Sequence, residues 1–218
     1  MKMQALTKTY GKRTVLNMPA YEFAPGMIYA VIGANGSGKS TLARVLAGIE
    51  KADQKKKPFG EENVEVGYSP QRAYAFRMSA EANIKLAGDD NDRAKRLMEE
   101  LQIAHLRKER ADRLSGGEKA RVAMARIMMK DHDLLILDEP TASMDMESTI
   151  LAEELIRAYR ERTGAVILLI THSLAQAARL ADRTLFLDNG ELIEEEDTNE
   201  LIHQPKQPQT RRFIEVYG

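Results

Sequence analysis

Short runs of consecutive apolar residues alternate with longer amphipathic stretches along this chain, which predicts strands and helices in turn. The runs at 27–32, 134–137 and 165–170 have the length and continuous apolar character of strands buried on both faces. Helical periodicity follows at 41–47, 149–162 and 175–181. Residues 78–113 also read as helical, with Leu97, Met98 and Leu101 on one face and Asp and Asn before them as caps. Another helix is predicted over 118–129. Residues 1–32 read as short strands with turns at Tyr10-Gly11-Lys12 and Pro25-Gly26, and 64–68 as one more strand. Leu185-Phe186-Leu187 and Glu191-Leu192-Ile193, joined by Asp188-Asn189-Gly190, predict a hairpin with an Asn-Gly turn. Residues 49–63, with Lys55, Lys56 and Lys57 beside acids, read as a solvated loop, and the tail from His203 holds Pro205, Pro208 and a short helical end. The alternation predicts an α/β fold with a parallel sheet covered by helices on both faces. No internal repeat is present.

Composition narrows the classes. The 218 residues suffice for one substantial α/β domain. A net charge of −1 provides no global field toward nucleic acid or an anionic membrane, so no nucleic-acid partner is expected. With no cysteine, neither a disulfide framework nor a thiolate metal site is possible. Met1-Lys2-Met3-Gln4 leads into no long apolar run, which predicts no secretory signal. No stretch approaches the roughly 20 apolar residues that span a bilayer. Work at a membrane would need other subunits.

Gly33-Ala34-Asn35-Gly36-Ser37-Gly38-Lys39-Ser40-Thr41 fits the phosphate-loop pattern G-x-x-x-x-G-K-[ST], between a predicted strand and a predicted helix. Glycines let successive N–H groups curl inward onto phosphates, and the helix N-terminus adds partial positive charge. In this chemistry Lys39 reaches the β- and γ-phosphates and the Ser40 hydroxyl ligates Mg²⁺. The run Leu134-Leu135-Ile136-Leu137-Asp138-Glu139 delivers two carboxylates to the end of a buried strand. In nucleotide hydrolases of this kind the first acid, Asp138, holds Mg²⁺. Glu139 is then placed to polarise an attacking water, as a catalytic base. Leu114-Ser115-Gly116-Gly117-Glu118 starts a helix, with Ser115 as an N-cap type and two glycines permitting close approach of a ligand.

Taken in order, the phosphate loop, Gln71, Leu114-Ser115-Gly116-Gly117-Glu118, Asp138-Glu139, Asp145 and His172 resemble the nucleotide-binding subunit of ABC transporters over nearly the whole chain. The resemblance implies a phosphate-loop NTPase core with a small antiparallel β subdomain and a compact α-helical subdomain. It implies one domain over 1–218, in which about 72–130 form the helical part carrying the signature. It also implies roles. Tyr10 stacks on adenine. Gln71, in Tyr68-Ser69-Pro70-Gln71, senses Mg²⁺ and links to membrane subunits. His172 contacts the γ-phosphate, and the loop of Asp145 crosses to a partner subunit. Ser115, Gly116, Gly117 and Glu118 contact ATP held by that partner. Met144 and Lys119 replace the more usual leucine and glutamine. The short lysine-rich stretch before Gln71 lacks strand-hairpin signals, so a trimmed antiparallel part is expected. His105, His132 and His203 read as solvated or structural, and Met124, Met128 and Met129 as core.

The resemblance further implies a head-to-tail dimer that sandwiches two ATP molecules, with a second copy or a homologous ATPase subunit. Its other partners would be integral membrane subunits and, indirectly, a solute-binding protein, at the cytoplasmic face of the membrane. The tail 205–213 resembles import ATPases for small polar solutes, such as amino acids or oxyanions including tungstate. Alternatives are an exporter ATPase and a soluble cassette assisting iron–sulfur assembly. A chromosome-maintenance ATPase would need heptad arms between Lys39 and Asp138, and none is present. A translation-associated relative usually carries two cassettes.

Overall fold

The structure is a computed structural model and describes residues 1–217; Gly218, the last residue of the predicted domain, lies outside them. The chain divides into two units. The first holds 1–68, 133–138 and the chain from 164 onward; the second holds 69–132 and 139–163.

The first unit is built on ten strands: β1 (Lys2–Met3), β2 (Leu6–Tyr10), β3 (Arg13–Met18), β4 (Tyr21–Glu22), β5 (Ile28–Ile32), β6 (Val66–Ser69), β7 (Leu134–Asp138), β8 (Val166–Ile170), β9 (Arg183–Asp188) and β10 (Glu191–Asp197). Eight of them form one sheet in the order β2-β3-β10-β9-β5-β8-β7-β6, while β1 and β4 pair separately. The middle is parallel: β5 pairs with β8 and β9, and β7 with β8. The antiparallel pairs β2–β3 and β9–β10 extend it, with β10 joined to β3 in parallel. The expected antiparallel portion is thus continuous with the main sheet. At the hairpin between β9 and β10, Asn189 and Gly190 both have positive φ (48° and 84°), as a type I′ turn requires.

Alternation along β5 sorts the sheet's two faces. Tyr29 and Val31 join the core that contains Leu42, Val45 and Leu46 of α1 (Lys39–Leu46). Ala30 and Ile32 join Leu174 and Ala177 of α6 (Leu174–Leu180), Leu201 of α7 (Thr198–His203) and Phe213 of α8 (Pro208–Tyr217) on the other. Helices therefore cover both faces, as predicted. The sequence pattern had not resolved α7, whose start is capped by the Asp197 carboxylate accepting from the Asn199 and Glu200 amides.

The segment 49–63 departs from expectation. It holds no strand, yet it is more than a solvated loop. Ala52 and Phe59 are buried in the core, and the Asp53 amide donates to the Thr7 carbonyl (2.8 Å). Asp53 Oδ1 accepts from the Thr9 amide and Gln54 Oε1 from the Thr7 amide. The cause is β2, which lies at the edge of the sheet. Its unpaired groups need partners, and side chains supply what a further strand would have.

The second unit contains α2 (Ala80–Lys85), α3 (Asn91–Glu100), α4 (Gly116–Ile127) and α5 (Met146–Thr163), with short 3₁₀ turns at Ala104–Leu106 and Ala111–Arg113. The single helical stretch expected over 78–113 is therefore broken, because Ser79 and Asp90 each cap a new helix. Ser115 and Asp145 likewise start α4 and α5 two to three residues earlier than the apolar pattern suggested. Leu97, Met98, Leu101, Met124, Met128 and Met129 are all buried.

Candidate active site

The register of the parallel strands gathers the predicted chemistry at one edge of the first unit. Ile170 on β8 lies opposite both Val31 on β5 and Asp138 on β7. The phosphate loop leaves the end of β5, Asp138 ends β7, and Thr171-His172 follow β8, so all three emerge at the carboxyl ends of neighbouring strands. The Thr171 amide donates to the Val31 carbonyl (3.3 Å).

In the loop, Gly33 and Gly38 are dictated by space as well as conformation. With φ of 148° and 103°, a Cβ at Gly33 would stand 2.1 Å from the Leu187 carbonyl oxygen and one at Gly38 2.8 Å from that of Val15. Gly38 is the N-cap of α1, so the free amides of that helix open toward the loop. Lys39 is buried, and its ammonium donates to the carbonyls of Gly33 (2.7 Å) and Ala34 (2.9 Å). Asn35 and Gly36 are exposed, whereas Ser37 and Thr41 are buried.

Asp138 is 2% exposed. Burial raises its carboxyl above the usual carboxylate range, against the pull of the Ser40 and Tyr68 hydroxyls and of the Arg44 and Lys39 charges. Tyr68 donates its phenol to Asp138 Oδ2 (3.3 Å), and burial pushes that phenol up to about 12. The other oxygen, Oδ1, is buried with no hydrogen-bond partner among the described residues. The Ser40 hydroxyl beside a carboxylate with one unsatisfied buried oxygen is a donor set that suits Mg²⁺, which takes few protein ligands beside substrate phosphates. Tyr68 was not singled out from the sequence. The available signal was a tyrosine on a half-buried strand, whose hydroxyl needs a partner.

Tyr10, at the end of β2, is 47% exposed, and its hydroxyl donates to Glu50. His172 is exposed. Glu139 begins the second unit's segment, and its φ of 51° is uncommon for a residue with a side chain. The chain thus leaves the straight path of β7 at this residue, which the residue pattern did not foretell.

Within the second unit, Ser115 and Glu118 form a reciprocal capping box. Ser115 Oγ accepts from the Glu118 amide (3.3 Å), and Glu118 Oε2 accepts from the Ser115 amide (2.8 Å) and hydroxyl (2.6 Å). Those bonds hold the Glu118 carboxyl below its ordinary value. Gly116 and Gly117 lie against Ser143 in the loop that precedes Asp145. Asp145 is exposed and accepts from the Ser148 amide (2.7 Å). A groove of about 610 Å³ is lined by residues that include Gln71, Tyr74, Lys119 and Ser143. Its Tyr74 packs edge to face on Phe76, with ring centroids 4.9 Å apart, and the two rings are 64% and 41% exposed. Buried Asn83 fixes this segment, accepting from the Phe76 amide (2.8 Å) and donating to the carbonyls of Phe76, Met78 and Ser79. Arg126 donates to the Tyr74 carbonyl and lies over the Phe76 ring.

No helix among the described residues is long and apolar enough to cross a membrane. Comparison with known proteins places this geometry. The ABC transporter family matches residues 16–142. The chain is 37% identical over 202 residues to the tungstate uptake system ATP-binding protein TupC of Peptoclostridium acidaminophilum, covering 87% of this chain and 94% of that protein. It is 30% identical to the arginine transport ATP-binding protein ArtM of Bacillus subtilis, covering 99% and 98%. Its fold matches a dimeric ATP-binding cassette in a post-hydrolysis state bound to ADP and Pi, with a TM-score of 0.79 at 21% identity, covering 90% of this chain and 98% of that one. The chain therefore belongs to the ABC transporter family, as an ATP-binding cassette of the ATP-hydrolysing kind.

Proposed function

We propose that this chain is the ATPase subunit of an importer for a small polar solute, closing as a dimer on ATP and opening after hydrolysis. The observation that carries the reading is the convergence of the phosphate loop, buried Asp138 and His172 at one strand edge, in a chain whose full-length relatives include an uptake ATPase. Tungstate and arginine, named for two relatives, bracket the solute class as a small oxyanion or amino acid.

Each residue then has a task. Tyr10 stacks on adenine, and the amides of 33–41 with Lys39 hold the phosphates. Ser40, Asp138 and Gln71 hold Mg²⁺, which when bound neutralises charge on the phosphate oxygens. Glu139 takes the proton of the attacking water. His172 donates to the γ-phosphate. Ser115, Gly116, Gly117 and Glu118 cover ATP on the partner chain, and the Asp145 loop crosses to it. The partner is a second copy or a homologous subunit. Integral membrane subunits place the pair at the cytoplasmic face, with a solute-binding protein acting through them. ATP bound by both chains of the closed state biases the equilibrium toward it.

A Ser115→Arg chain tests the role in trans. It is expected to bind ATP with near wild-type affinity through its own loop, and to lose hydrolysis by about 10²–10³-fold, as when one transition-state donor is removed. Mixed with Lys39→Ala chains, it leaves at most one complete site per pair. Wild-type hydrolysis by Ser115→Arg alone would show that the signature does not act on a partner's nucleotide.

The groove beside Gln71 suits a short helix of a membrane subunit, because exposed aromatics at a rim are typical contact anchors. Tyr74 and Phe76 pack on each other at the surface, so alanine at either should leave ATP binding within about twofold. Recovery of membrane partners and their stimulation of hydrolysis should be lost. Undiminished membrane association in both variants would place the docking site elsewhere.

A further inference from the structure

Tyr10 is half exposed, yet its side chain is tied down. After α1 the chain loops back on itself, with the Ile49 and Glu50 amides both donating to the Arg44 carbonyl (2.9 and 3.1 Å). That return sets the Glu50 carboxylate between two donors. Arg44 Nε donates to Oε1 and the Tyr10 hydroxyl to Oε2. Arg44 Nη2 reaches the Thr41 hydroxyl (3.4 Å), beside Ser40 in the first turn of α1. A continuous chain of contacts, Thr41–Arg44–Glu50–Tyr10, therefore links the phosphate-loop helix to the aromatic ring. Partial burial alone would raise the Glu50 carboxyl; the bonds from Tyr10 and Arg44 outweigh it and keep the group ionised. The Lys8 ammonium lies over one face of the ring, 5.1 Å from its centroid, and donates to the Lys51 carbonyl (2.9 Å).

An exposed tyrosine ordinarily samples several rotamers, and a stacking ligand must pay to immobilise it. We propose that Glu50 and Arg44 are positioning residues for the nucleotide base, bracing Tyr10 from the phosphate-loop helix so that ring and loop grip one nucleotide at a fixed spacing. This rests on Tyr10 being the adenine platform. Glu50 touches no nucleotide; it acts through the ring. The brace should matter for ligands that carry a base and be silent for those that do not.

The test compares the affinity of the full chain for ATP and for inorganic triphosphate, by calorimetry, in five forms: wild type, Tyr10→Ala, Tyr10→Phe, Glu50→Ala and the Tyr10→Phe/Glu50→Ala double variant. Base–aromatic stacking of about 1–3 kcal/mol predicts that Tyr10→Ala weakens ATP about 5- to 150-fold and leaves triphosphate unchanged. Tyr10→Phe keeps the ring and removes only the hydroxyl. It and Glu50→Ala should each weaken ATP about 2- to 10-fold, the scale of one hydrogen bond. Triphosphate affinity should again be unchanged, and the double variant should be no weaker than the worse single one. If Tyr10→Ala weakens ATP selectively while Tyr10→Phe and Glu50→Ala bind it like wild type, the brace is overturned and the platform stands. If Tyr10→Ala leaves the ratio of ATP to triphosphate affinity unchanged, the platform falls and the brace with it. Tyr10→Phe, at an exposed ring, keeps the test valid should Glu50→Ala disturb the fold.

Discussion

Lys39→Ala is expected to abolish ATP hydrolysis and to weaken ATP binding sharply. The ammonium is buried at the mouth of the loop, 2.7 and 2.9 Å from two carbonyls of that loop. In the proposed role it would meet the β- and γ-phosphates as the only charge contributed by the loop itself. A charge-assisted hydrogen bond is worth about 1.5–3 kcal/mol, so ATP affinity should fall about 10- to 100-fold. Charge stabilisation in the transition state should be lost as well, lowering turnover at least about 10²–10³-fold. The variant also strands the Gly33 and Ala34 carbonyls, so its thermal unfolding is measured alongside. A Lys39→Met chain keeps the apolar stem and should fail in the same way. Steady-state hydrolysis near the wild-type rate in either variant, with the fold intact, would rule out the assigned role.

Glu139→Gln is expected to separate binding from chemistry. The amide keeps the size and shape of the side chain and removes the carboxylate proposed as the base. Turnover should fall about 10²–10⁴-fold, the usual worth of a positioned general base, while ATP affinity stays near wild type. That split assigns the loss to the chemical step. A matched fall in affinity and turnover would instead make Glu139 a binding group. Glutamine, like glutamate, would have to adopt the φ of 51° found at this position, so the exchange leaves the backbone demand unchanged.

What could be read from the sequence is what chemistry forces into contiguous residues. A phosphate cradle needs glycines, lysine and hydroxyl in one turn, and a buried strand must be a continuous apolar run. Gly33 to Thr41, the acids after Leu137 and the Ser115 cap were legible for that reason. The Asn189-Gly190 turn was legible because few residue pairs accept two positive φ values. Contacts between distant positions were hidden. The phenol of Tyr68 on Asp138 spans 70 positions, and the carboxylate of Glu50 on Tyr10 spans 40. Neither leaves a local pattern. The docking of 50–59 onto β2 was hidden by its lysines, which mark solvent while Ala52 and Phe59 beneath them mark core. The break between α2 and α3 ends at Asp90, one of the residues expected as caps, but the start of α2 lay in Ser79, a cap whose signal is one residue long. Asn83 was overlooked for the same reason, since a fully buried asparagine mid-helix looks like any polar surface position until its four backbone partners are known.

The central claim is that this cassette works as a pair closed over ATP, each chain completing the other's site. Multi-angle light scattering on the Glu139→Gln chain, with and without Mg²⁺ and ATP, tests it most directly, because the variant is expected to bind ATP and to turn it over very slowly. The account predicts one chain mass without nucleotide and twice that mass with ATP, returning to one when Ser115→Arg is added to the same chain. A single chain mass at every ATP and protein concentration, with ATP binding confirmed in the same sample, would contradict it.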